Sequence, residues 1–175
     1  YYADYLVEVD FMLNLTAKEK MLLEDEKSHE QLCVQKYQEY AQKASDPQLK
    51  SLFNELAQHE QQHLTSINQI LSGTVPNVNQ AQGQNQGNQN SNMQNSNTMP
   101  NMNLQSSQMN AYNEQDKMLC QDSLSTEKYV SSTYNTAIFE FADKNIRQVL
   151  NHIQKEEQEH GEKIYNYMSQ HNMYN

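Results

Sequence analysis

The chain has 175 residues, with 12 Lys and Arg against 22 Asp and Glu and a formal net charge of −10. That length suits one domain of ordinary size or two small ones. An acidic chain without a basic cluster repels phosphate backbones, so nucleic acid is not an expected partner.

The two cysteines, Cys33 and Cys120, make neither a disulfide framework nor a Cys-x-x-Cys pair. Zinc-ribbon and thioredoxin readings therefore lapse, and both are read as small apolar helix residues. No apolar run approaches the roughly 20 residues of a membrane helix, so no membrane partner is expected. The opening stretch, residues 1–15, contains Asp4, Glu8 and Asp10 and lacks a basic start. It does not read as a secretory signal, which predicts a protein made in the cytoplasm. It is apolar enough to lie on the rest of the molecule or on another subunit.

Four helices follow in two pairs. The first is expected from about Ala17 to Ala44, with Thr16 and Glu19 at capping-box spacing. Ser45-Asp46-Pro47 reads as a turn in which Asp46 caps the second helix and Pro47 takes its first position. That helix is expected to run to Leu71 and stop near Gly73. Residues 16–72 thus form a first antiparallel hairpin, because so short a turn allows nothing else. From Gly73 to Asn113 there is no Asp, Glu, Lys or Arg, only a stretch dominated by Asn, Gln, Ser and Met. Such a segment has little apolar surface to offset the entropy lost on folding, so residues 73–112 read as a disordered linker. Its Asn/Gln bias also allows self-association. Residues 113–175 repeat the hairpin, with Asn113 and Asp116 at the capping positions and Asp143 capping the last helix.

The two hairpins align without a gap at a shift of 97 positions. Lys20-Met21-Leu22 meets Lys117-Met118-Leu119, Tyr37 meets Tyr134, Asp46 meets Asp143, and Glu60-Gln61 and His63 meet Glu157-Gln158 and His160. An ungapped match of this kind points to duplication of one supersecondary unit. One hairpin cannot bury its apolar stripe alone, whereas two packed together can.

On a helical wheel Leu49, Phe53, Leu56, Ile67 and Leu71 fall within about 40° of Glu60. The last helix repeats this with Ile146, Leu150, Ile153, Ile164 and Met168 about Glu157. His63 and His160 lie three residues on, about 60° to one side. A carboxylate at the centre of a core face costs on the order of several kcal/mol in lost hydration. Something must neutralise it. Glu30 and Glu127 each precede the central glutamate of their own hairpin by 30 positions, with the turn midway, so they come level with it. Four carboxylates and two imidazoles are then expected at mid-bundle, where two divalent cations would balance them. Oxygen and imidazole donors suit iron, manganese or zinc. One Glu from each of two helices and a Glu-x-x-His from each of the other two is the ligand pattern of ferritin-like di-metal bundles. The candidate ligands are Glu30, Glu60, His63, Glu127, Glu157 and His160, holding two iron or manganese ions.

A metal-free alternative stands beside this. Glu30 lies about 60° off a stripe drawn through Leu22, Cys33, Tyr40 and Ala44, which suits a solvated rim residue. His29 and Glu26 point nearer the core but meet Thr126 and Ser123 in the repeat. Asp25 and Asp122 form a second symmetric acidic pair, about 80° off centre the other way. Glu60 and Glu157 would, in this alternative, be protonated or paired with Lys or Tyr hydroxyls. His59, His152 and His171 lack a matched His and read as surface residues. Tyr37, Tyr40, Tyr129, Tyr134, Tyr165 and Tyr167 fall on or near core faces, where packing accounts for them.

The stretches Asp116-Lys-Met-Leu-Cys-Gln-Asp122, Lys128-Tyr-Val-Ser-Ser-Thr-Tyr134, Glu156-Glu-Gln-Glu-His160 and Ile164-Tyr-Asn-Tyr-Met168 resemble the spore coat protein F (Coat F) family of spore-forming bacteria. The ending Met173-Tyr174 fits the aromatic ending common in that family. Residues Glu19 to Leu71 resemble the same domain more loosely. The resemblance implies a ferritin-like bundle; with the duplicated hairpins read above, the expected fold class is all-α, a ferritin-like four-helix bundle of two duplicated antiparallel hairpins. It implies a structural component of the spore coat, with other coat proteins or itself as partners. It implies no reaction, and metal binding is not a dependable property of the family. The competing reading, from the duplicated ligand set alone, is a di-metal oxidoreductase acting on peroxide, oxygen or ferrous iron.

Overall fold

The computed structural model describes residues 13–77 and 112–174. These form four helices: α1 (Ala17–Lys43), α2 (Pro47–Leu71), α3 (Glu114–Glu140) and α4 (Lys144–Gln170). Each helix begins where its sequence says it should. The Thr16 hydroxyl accepts from the Glu19 amide, and Glu19 reaches back to the Thr16 amide, which completes the capping box. Asp46, Asn113 and Asp143 cap the other three helices through their side-chain oxygens. Helix α2 closes at Gly73, whose φ of +96° is a left-handed conformation that glycine adopts without strain.

Helices α1 and α2 form one hairpin, α3 and α4 the other, and the two dock with α1 on α3 and α2 on α4. Both docking pairs are antiparallel. Lys18 pairs with Glu140 at one end of α1 and Lys36 with Asp122 near the other. Across α2 and α4, Glu55 meets Lys163 and His63 meets Glu156. Helices α2 and α3 therefore point the same way, so the end of α2 and the start of α3 lie at opposite ends of the bundle, about 38 Å apart along a 25-residue helix. Residues 78–111 of the expected linker lie outside the described residues, as do residues 1–12 of the opening segment. At the described edges, Leu13, Leu15, Val75 and Tyr112 pack against the core.

The docking has a near-twofold character that the repeat predicts. The third residue of α1, Glu19, accepts from the Ala142 amide at the α3–α4 turn (3.1 Å). Its counterpart in the repeat, Asp116, accepts from the Ser45 and Asp46 amides at the α1–α2 turn (2.8 and 3.1 Å). Each hairpin thus ties the turn of the other. Between these ends the core is a single apolar cluster that includes Leu23, Phe53, Leu56, Ile67, Leu150, Ile153 and Ile164. Burial of each large aliphatic contributes about 1.5–3 kcal/mol. Among the described residues no helix is long and apolar enough to cross a membrane.

The buried face of α1 differs from the expected stripe. It runs through Leu23, Glu26, Glu30, Cys33, Val34, Tyr37 and Ala41, while Leu22 and Tyr40 are only half-buried. Three buried positions of α1, Glu19, Glu26 and Glu30, are acidic, so a stripe drawn through apolar letters is rotated away from the true one. Glu30 is therefore central and fully buried, not a rim residue.

Candidate metal centre

The four helices bring all six predicted ligands to one level of the bundle. Glu30 of α1, Glu60 and His63 of α2, Glu127 of α3, and Glu157 and His160 of α4 are each at most 2% exposed. They fall into two sets of four. Glu30, Glu60, His63 and Glu157 present donor atoms all within 4.8 Å of one another, and so do Glu60, Glu127, Glu157 and His160. Glu60 and Glu157, the centres of the two apolar stripes, belong to both sets. Glu30 and Glu127 sit at opposite ends.

The outer oxygens of the end carboxylates are held from across the hairpin interface. The Tyr37 hydroxyl donates to Glu127 Oε1, and the Tyr134 hydroxyl donates to Glu30 Oε1. The inner oxygens are not held. Glu30 Oε2, Glu127 Oε2, Glu60 Oε1, both oxygens of Glu157 and His160 Nδ1 are buried without a hydrogen-bond partner. His63 Nδ1 stands 3.0 Å from Glu157 Oε1, and His160 Nδ1 stands 3.2 Å from Glu60 Oε1. Neither contact is a hydrogen bond, and His63 Nδ1 pairs instead with Glu60 Oε2 at 3.2 Å. So many unsatisfied buried acceptors call for a partner. Three carboxylates and one imidazole per set form a donor group that could hold a divalent transition metal.

Behind the ring of donors lies a second layer. His63 turns its Nε2 onto Glu156 Oε2 at 2.9 Å. His160 turns its Nε2 onto His59 Nδ1 at 3.1 Å, and the His63 and His160 rings stack with centroids 5.6 Å apart.

Burial pushes the carboxyls of Glu30 and Glu127 well above the ordinary carboxylate range, against the pull of His63 and His160 respectively. Burial and Glu157 also raise the Glu60 carboxyl, but its contacts with His160 and His63 outweigh them and hold it below its ordinary value. Glu157 is likewise raised by burial and brought far lower by His160, His63 and Glu127. Burial opposes the charge on both imidazoles, yet the surrounding carboxylates win, raising His63 strongly and His160 to about 11. Burial thus favours the neutral form at Glu30 and Glu127, while the two imidazoles and the two central carboxylates favour one another's charged forms.

Several expectations change here. The Tyr hydroxyls pair with Glu30 and Glu127, not with Glu60 and Glu157, and no lysine reaches the central pair. Glu26 is buried and accepts from the Thr133 hydroxyl at 3.0 Å, with His29 beside it. Asp25 and Asp122 are both exposed, and Asp122 accepts from Lys36 and Tyr40. His59, His152 and His171 are partly exposed, and His59 touches a predicted ligand. Tyr129 and Tyr165 are exposed, whereas Tyr37, Tyr134 and Tyr167 are buried. Cys33 and Cys120 are free and buried, as small apolar residues should be.

Residues outside the six-ligand set that matter to the centre are Tyr37, Tyr134, Glu156 and His59. The one signal available for the tyrosines was their match across the repeat.

Residues 115–175, which comprise nearly all of α3 and all of α4, match the model of the Coat F domain family. No curated protein and no solved structure matches the chain.

Proposed function

We propose that this chain, whose second hairpin is a Coat F domain, is a structural component of the bacterial spore coat built on a ferritin-like bundle that holds two iron or manganese ions. The Coat F match supports the location. The metal reading rests on one observation: six buried donor atoms without hydrogen-bond partners, contributed by all four helices and converging at mid-bundle. In this reading Glu30 and His63 would hold one ion, Glu127 and His160 the other, with Glu60 and Glu157 available to both. Two divalent cations balance four carboxylates, and binding displaces the protons that otherwise neutralise the site.

The coat role predicts association with other coat proteins or with further copies of the chain. Deleting residues 73–110 is expected to weaken incorporation into spore coats while helicity is kept. Unchanged incorporation would remove the linker from the account. For the metals, elemental analysis of the full chain purified without chelator is expected to give about two equivalents of iron or manganese per chain. Metal content near zero, with stability unchanged on adding either ion, would end the metal reading.

A second reading has one observation in its favour. A cleft of about 520 Å³ between α3 and α4 is lined by Glu127, Glu157, Lys128, Asn135, Gln154 and Gly161. It gives small molecules a path towards two of the ligands, as an oxidoreductase acting on peroxide, oxygen or ferrous iron would need. A bound di-metal pair would polarise the oxidant. Peroxide consumption, oxygen uptake and ferrous oxidation by the metal-loaded chain test this, and rates equal to those of the free ions would dismiss it.

A further inference from the structure

The duplicated ligands are supported by layers that are not duplicated. Positions 59 and 156 correspond in the two repeats, and each lies against the Nε2 of a ligand imidazole from the opposite hairpin. Position 156 is a glutamate and position 59 is a histidine. Glu156 accepts from His63 at 2.9 Å and lies 3.4 Å from His152 Nε2, which closes a His152–Glu156–His63 chain. On the other side His59 meets His160 at 3.1 Å, and the neighbouring Glu55 is already paired with Lys163 at 2.6 Å. Among the described residues no carboxylate backs His160 Nε2.

The difference has a physical consequence for any cation the imidazoles hold. A carboxylate on the far nitrogen fixes the ring's tautomer and orientation and makes the ligating nitrogen more basic. Loss of such a partner typically costs tenfold to a hundredfold in metal affinity. An imidazole on the far nitrogen supplies orientation without negative charge, and with two tautomers to share one proton it fixes the ligand less firmly.

We infer that the two metal positions are inequivalent: the one formed by Glu30, His63, Glu60 and Glu157 fills first, and Glu156 is the positioning residue that sets this order. The inference rests on the di-metal reading and deepens it.

Titration of the metal-free full chain with Co²⁺, against a competing chelator and followed by its visible absorption, reads the order directly. Two binding steps at least about tenfold apart are expected. His63→Ala should abolish the tighter step and His160→Ala the weaker one. Glu156→Gln preserves shape but removes the charge, so the tighter step should weaken by about tenfold to a hundredfold and the two steps merge. His59→Glu should bring the steps together from the other direction, by tightening the second. Helicity of each variant, followed by circular dichroism, keeps a folding failure from being mistaken for a binding effect. Two indistinguishable steps in the unmodified chain would overturn the inference while leaving the di-metal reading intact. So would loss of the tighter step in His160→Ala, or an unchanged first step in folded Glu156→Gln. No cobalt bound at all would overturn both.

Discussion

The two hairpins agree at the mid-bundle centre and differ around it, at buried Glu26 against Ser123 as well as at half-buried positions. Glu30 and Glu127, Glu60 and Glu157, His63 and His160, and Tyr37 and Tyr134 repeat one another, and all eight are buried. One layer out, His59 stands opposite Glu156, Leu64 opposite Gly161, and Lys36 opposite Thr133. An unpaired buried charge costs several kcal/mol, so the inner set survives only as a mutually balanced group. A half-buried partner can be exchanged for about 1 kcal/mol or less. The comparison teaches that the inner set behaves as one unit spanning both hairpins, while each hairpin tunes its own outer layer.

The largest effect that could break this picture comes from the shared carboxylates. Glu60→Gln or Glu157→Gln should remove both metals, while Glu30→Gln or Glu127→Gln should remove about one. Elemental analysis of the four variants checks it, and equal losses in all four would contradict the division into bridging and end ligands. Next come the paired tyrosines. Tyr37→Phe and Tyr134→Phe each leave a buried carboxyl oxygen without its donor, which should cost about 1–3 kcal/mol in denaturant unfolding. The two costs should be alike, and a large inequality would show that the near-twofold relation is only approximate at the centre.

The protein stripped of metal should respond to alkali through the imidazoles. Its carboxylate neighbours raise the folded His160 to about 11, above its ordinary value of 6.5. Its contribution to stability is therefore complete below about pH 6.5 and is lost as pH rises towards about 11. His63, raised in the same direction, adds to that loss. Thermal unfolding between pH 6 and 10 should show the decline in chelated protein. Bound metal, which takes the place of the protons, should flatten it. The smallest effect concerns Gly161, where an added Cβ would meet Leu124 Cδ1 at 3.6 Å and Glu127 Cβ at 3.9 Å, both ordinary contacts. Gly161→Ala should raise stability by about 0.5–1 kcal/mol by favouring the helix, while Leu64→Gly in the other hairpin should lower it.

Much of this was legible along the chain. Thr16, Asp46, Pro47, Gly73, Asn113 and Asp143 mark the helix ends because capping is local chemistry that needs only near neighbours. The repeat and the wheel placed Glu60 and Glu157 on core faces because α2 and α4 are strongly amphipathic. Helix α1 was harder: with Glu26 and Glu30 inside, apolar letters alone point to the wrong stripe. The pairing of Tyr37 with Glu127 and of Glu156 with His63 depends on how one hairpin sits on the other. That register is fixed by contacts separated by about 90 positions, which periodicity within a helix does not encode.

Anomalous diffraction from crystals of the full chain grown with manganese tests the central claim most directly. Two peaks are expected inside the bundle, one beside Glu30 and His63 and one beside Glu127 and His160, both flanked by Glu60 and Glu157. Manganese found only at surface carboxylates, with no peak among these six side chains, would contradict it.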